Sequence, residues 1–220
     1  MKQKVQTIGG EFKTQVKILA TTVAIFWIIV ILNELVLEQI LVIANGCGLQ
    51  RGLNALGIVP QSFIGLRGIL FAPFLHANLY HVLANTAPFI VLGWLVMLRN
   101  IKDFYFVSVL SALVGGLGTW LIGQPCSVHV GASGVIFGYF GYLLFRGYFE
   151  KSFVAIAISL AIAITYGSLL WGVLPTRSYI SWKVICLDLL AALLPRSYYH
   201  QPKPQPKKFG RARSALPNFK

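Results

Sequence analysis

The chain has 220 residues, 56% hydrophobic and 11% charged, with a formal net charge of +13 and a mean hydropathy of +0.71. A soluble core cannot hide that much apolar surface, so a water-soluble enzyme is excluded and the function is expected inside a bilayer. At roughly 20 residues per spanning helix, the length accommodates five or six spans joined by short loops.

Residues 1–17 read as a cytoplasmic N-terminus bearing Lys2, Lys4, Lys13 and Lys17. Residues 18–32 are uncharged, and the run continues weakly to residue 44 through Asn33, Glu34 and Glu38. This predicts a first span whose far end reaches the interface; no small-residue cleavage pattern follows it, so it is expected to be retained. Residues 45–73 mix Gly, Pro and Arg with apolar residues, too broken to span and too apolar for a solvated loop, which predicts an interfacial or partly embedded segment. Further spans are predicted over residues 81–98, 104–122, 133–145, 153–174 and 180–194, the last carrying Lys183 and Asp188. Together, 18–194 form the expected six-span membrane domain. The basic, Pro-rich stretch 195–220 has no apolar periodicity and is expected to be a disordered cytoplasmic tail.

With a cytoplasmic N-terminus, the inside segments collect Lys2, Lys4, Lys13, Lys17, Arg99, Lys102, Arg146, Lys151 and the basic residues of the tail. The outside segments hold only Arg51, Arg67 and Arg177. That bias predicts both termini inside and an even number of spans. It also accounts for the positive charge without nucleic acid, which would need basic residues interleaved with aromatics on a solvated surface. Cys47, Cys126 and Cys186 lack CxxC or Cys/His spacing, so neither a disulfide framework nor a zinc site is expected. No internal repeat suggests a transporter built from inverted halves, and no cofactor is implied.

Polar groups inside spans are costly and are functional candidates by default. The second span opens HANLYHVLAN, placing His81 and Asn85 four residues apart on one helix face, with His76 just upstream. A membrane histidine often serves only helix packing; an imidazole and a carboxamide on one face can instead donate hydrogen bonds to a common point. The fourth span opens GASGVIFGYFGYLL, with Ser133 between Gly131 and Gly134 at a helix start. A serine there is ordinarily an N-cap, and small residues ordinarily allow close helix approach. Combined with His81 and Asn85, however, Ser133 supplies the nucleophile and donors of an acyl-transfer site with an oxyanion hole.

These two motifs, in this order within six spans and after an irregular first loop, resemble the rhomboid family of intramembrane serine proteases over residues 12–194. The resemblance implies an all-α polytopic membrane protein, a six-helix rhomboid-like bundle with an embedded first loop, acting on single-span transmembrane protein substrates in the lipid bilayer. It implies that Ser133 is the nucleophile and that His81 and Asn85 stabilise the tetrahedral oxyanion. Phe137 matches an aromatic that packs against the family's catalytic imidazole.

The sixth span departs from that pattern. The family takes its general base from a histidine there, in contexts resembling SWEGHLFG, whereas this chain reads SWKVICLD from Ser181 to Asp188, with Ile185 at the base position. Of the other histidines, His200 lies in the tail and His129 precedes Ser133 by four residues, an arrangement with no counterpart in the family. Codons TGG GAA GGT CAT TTG TTT GGA T encode WEGHLFG, and removing one G gives TGG AAG GTC ATT TGT TTG GAT, which encodes WKVICLD. A one-base deletion after Trp182 therefore reproduces every residue through Asp188, both charges included. The alternative is true divergence to an inactive rhomboid-like protein that binds transmembrane helices.

Overall fold

A computed structural model describes residues 8–167. The N-terminal helix α1 (Ile8–Leu32) continues through a π-helical turn at Asn33–Leu37 into the short α2 (Glu38–Ile40). The chain does not stay helical to residue 44. It turns at Leu41 into an antiparallel hairpin, β1 (Val42–Ala44) and β2 (Leu49–Arg51), paired with Val42 opposite Arg51. Residues 52–78 form short helical turns around α3 (Gly68–Phe71). Then follow α4 (Leu79–Met97), α5 (Ile101–Ile122), α6 (Ser133–Glu150) and α7 (Phe153–Tyr166). The protein is an all-α membrane protein: the helical run Gly9–Ile40, α4 and α5 are long and apolar enough to cross a bilayer.

Helix α6 is the centre of the bundle, packed against α4, α5 and α7, while α1 lies on α4. It runs past its expected end at residue 145, because Arg146 and Glu150 extend it in a polar cluster. Arg146 Nε lies 3.1 Å and Arg99 Nη1 2.9 Å from the Glu150 carboxylate, and the buried Tyr142 hydroxyl donates to Asp103 at 2.7 Å. Buried charges persist only when paired, and this cluster ties the turn between α4 and α5, through Arg99, and α5, through Asp103, to α6 at one end of the bundle. Between the two ends the core is aromatic, with Phe89, Phe104 and Tyr139 in mutual contact.

Two crossings are tight. Gly138 of α6 faces Ser111 of α5 so closely that a Cβ on Gly138 would overlap the serine Oγ and Cβ. At the α6–α7 crossing, Ser159 Oγ donates to Leu143 O at 2.7 Å and accepts from Gly147 N at 3.0 Å. Close backbone approach through small residues is how spanning helices associate without a hydrophobic driving force.

The largest correction to the sequence reading concerns cysteine. Cys47, in the turn of the hairpin, is disulfide-bonded to Cys126, in the loop between α5 and α6. Spacing rules detect local metal and redox motifs, and a bridge between residues 79 apart in sequence carries no such signature. The disulfide belongs to a broader attachment of the first loop to the end of α5 and the α5–α6 loop. Ile58 and His129 exchange backbone hydrogen bonds, Gln61 N donates to Trp120 O, and Trp120 Nε1 donates to Ser62 O. The predicted sixth span and tail, with Ile185, Cys186 and His200, lie outside the described residues.

Candidate functional site

The start of α4 is organised by local hydrogen bonds. Asn78 is its N-cap, its side chain accepting from His81 N at 2.9 Å, and Ala77 N donates back to His81 Nδ1 at 3.3 Å. This reciprocity has the logic of a capping box. Glu34 adds a third satisfied donor by accepting from Leu79 N at 3.1 Å. Because Nδ1 accepts a hydrogen bond, the neutral imidazole carries its proton on Nε2, which makes Nε2 the donor.

The ring edge that carries this donor lies against Gly131. A Cβ on Gly131 would lie 2.8 Å from His81 Nε2 and 3.4 Å from Asn85 Nδ2. Asn85 Nδ2 is itself buried and has no hydrogen-bond partner among the described residues. Two N–H donors one helical turn apart thus converge on the segment two residues before Ser133. Gly131 holds a left-handed φ of +118°, which only glycine adopts without strain, and its N–H is anchored to Ala72 O of the first loop at 2.8 Å. Ala132 caps α6 without a side-chain hydrogen bond, leaving first-turn N–H groups without intrahelical acceptors beside the half-buried Ser133.

His76 stands behind His81, its ring 5.2 Å from the His81 ring and 5.2 Å from Phe26. It is enclosed, and among the described residues neither ring nitrogen meets a partner in full hydrogen-bond geometry. Burial, with the adjacent His81, pushes its pKa down to about 4, so it is neutral at physiological pH. His129 is occupied elsewhere. Its Nε2 lies 2.8 Å from Ser127 Oγ, whose own proton goes to Gln124 O at 2.5 Å, so Nε2 is the donor to Ser127. Burial lowers the His129 pKa as well. Phe137 follows one turn after Ser133 on α6 and is half-buried. Among the described residues, no three His, Cys, Asp or Glu side chains gather as a metal site.

The anchoring residues Glu34, Ala72 and Asn78 were not singled out from sequence. Asn78 carried a readable signal, an Asn three residues before His81 at a helix start; Ala72 acts through its backbone and carried none.

The Rhomboid domain model matches residues 65–184, more than half of the chain. The chain belongs to the rhomboid family. Among its relatives are "Uncharacterized protein Rv1337" of Mycobacterium tuberculosis and "Uncharacterized protein Mb1372" of Mycobacterium bovis. Each is 41% identical over 139 residues, covering 60% of this chain and 58% of the relative. A Bacillus subtilis protein named "Putative rhomboid protease YdcA" is 36% identical over 81 residues, covering 36% of this chain and 41% of its own length. The matched stretch therefore spans less than two thirds of these relatives. The rhomboid match takes in α4, α5, α6 and α7, and with them both motifs that converge at Gly131.

Proposed function

We propose that this rhomboid chain is built as an intramembrane serine endopeptidase for single-span transmembrane substrates, with Ser133 as nucleophile and His81 and Asn85 as oxyanion donors. The observation that carries the reading is the convergence of His81 Nε2 and Asn85 Nδ2 on the Gly131 segment. Ser133 Oγ would attack the scissile carbonyl carbon, giving its proton to a base, and the carbonyl oxygen would take its charge between the two side-chain donors and the N-terminal N–H groups of α6. Each such donor is typically worth about 3 kcal/mol in the transition state.

The literal chain has Ile185 where the base belongs, and isoleucine accepts no proton. Without a base the serine stays protonated and catalysis falls by several orders of magnitude. Loss of the reading frame after Trp182 accounts for this; it is supported by the end of the family match at residue 184, two residues beyond that tryptophan. The second reading is an inactive rhomboid that holds transmembrane helices without cutting them, and the Ile185 side chain itself favours it. The site end is proposed to face outward, with both termini cytoplasmic. Two independent features support that orientation: the Lys and Arg bias, and the Cys47–Cys126 bond, since disulfides persist on the oxidising side of a membrane.

The gene and its repair test the reading. Codons after Trp182 must yield Glu-Gly-His in the shifted frame, or the frame-loss account is wrong. The 220-residue chain is expected neither to cleave a single-span reporter nor to react with a fluorophosphonate probe, and the frame-restored protein to do both, sensitively to Ser133→Ala. A repaired protein that inserts but does not cut would remove the protease reading in favour of helix binding.

A further inference from the structure

A cavity of about 310 Å³ lies beneath the first loop, walled by Phe26 of α1, Leu70 of α3, Phe89 of α4, Val109 and Leu113 of α5, and Val135 of α6. Its walls are mostly apolar side chains, and the Thr22 and Ser108 hydroxyls that border it already donate to the carbonyls of Ile18 and Phe104 on their own helices, so water finds few partners there. Its mouth opens on the apolar outer surface of the bundle: Leu70 of α3 and Val109 and Leu113 of α5, itself long and apolar enough to span, line it and are themselves exposed. Its inner end is closed by the buried Phe89 and by Ala132 and Val135, which flank Ser133 in sequence. An apolar void of about 150 Å³ already takes up a benzene-sized guest, and this one is about twice as large.

We propose that this cavity binds one acyl chain of a membrane lipid. The surface around its mouth is apolar surface of the kind that lipid tails cover, so a tail enters with little polar surface to desolvate. What it gains is dispersion contact with walls that otherwise face empty space. A chain seated to full depth packs against Ala132 and Val135, wedged between the first loop and the first turn of α6. The lipid thereby becomes part of the support that holds α6 against the loop, whatever the chemistry at Ser133.

Photolabelling tests this without any measurement of proteolysis. The full chain is reconstituted in phosphatidylcholine vesicles doped with a phosphatidylcholine that carries a diazirine near the end of one acyl chain, then irradiated and mapped by peptide. Exposed Ile28 and Leu83 report general lipid contact, whereas Phe89 and Val135 are only 3% and 6% exposed and are reached only through the cavity. Label is expected at Phe89 and Val135 as well as at Ile28. Ala112→Trp, which fills the cavity, and Leu113→Trp, which blocks its exposed mouth, are each expected to reduce the inner label about tenfold with Ile28 unchanged. Absence of inner label in the wild type overturns the proposal, as does inner label that survives both substitutions. In a parallel arm with a photo-crosslinking benzoylphenylalanine replacing Phe89, crosslinks to residues 168–220 or to a second copy of the chain, in place of lipid, would replace the lipid as occupant.

Discussion

His76 is a buried imidazole beside His81, and burial holds it neutral by keeping its pKa near 4. The unfolded chain returns it to about 6.5, so below that pH the unfolded state takes up a proton that the folded state refuses. Stability is therefore full above about pH 7 and declines as the pH falls from 6.5 toward 4, where the loss levels off. A shift of that size corresponds to about 3 kcal/mol. Thermal unfolding in detergent across pH 4.5–7.5 should show the decline, and His76→Phe should flatten much of it. His129, also lowered by burial, leaves a residual slope of the same sign in that variant. An unchanged slope in His76→Phe would mean that the ring is protonated in the folded protein. At Asn85, the buried Nδ2 has no acceptor among the described residues. Asn85→Ala in the frame-restored protein should cost about 10²–10³ in kcat while leaving the unfolding midpoint nearly unchanged.

Among the elements, α6 depends on the closeness of α5. Gly138→Ala places a methyl group into Ser111, whose Oγ is already buried without a partner, and overpacking of this kind costs about 1–3 kcal/mol. Ser111→Gly removes both colliding atoms, so the double variant should recover most of the lost unfolding midpoint. Failure of that rescue would show that Gly138 matters for helix flexibility rather than for the crossing. The first loop depends on its attachments in the same way. Arg67 Nη2 donates to Ala44 O at 2.6 Å and to Ala55 O at 3.2 Å, satisfying carbonyls that the irregular backbone leaves open.

At the scale of the whole molecule, the Cys47–Cys126 bridge closes 79 residues of chain, from the hairpin through α4 and α5. Cys47→Ser should lower stability by about 2–4 kcal/mol, read as an earlier unfolding midpoint that matches reduced wild type. Under denaturing, non-reducing conditions a maleimide-polymer should add one mass step, from Cys186, and three after reduction. Three steps before reduction would remove both the bridge and the support it lends to an outward-facing site.

Composition and hydropathy alone determined that the chain lives in a membrane, because a 56% hydrophobic sequence has no other solvent. The positions of α4, α5, α6 and α7 were legible to within a few residues at their starts, since apolar runs and polar breaks are local features of the chain. Helical spacing was enough to put His81 beside Asn85, and the GASG motif was enough to mark Ser133. What the sequence could not supply was any relation between segments far apart. The Cys47–Cys126 bond and the anchoring of Gly131 by Ala72 are such relations, and even the local strand pairing at residues 42–51 and the choice of Nε2 as the His81 donor rest on where backbone groups sit. Hydrogen bonding by a carbonyl carries no residue-type signature, so only the tertiary structure decides which loop holds which helix start, and hence where the two donors point.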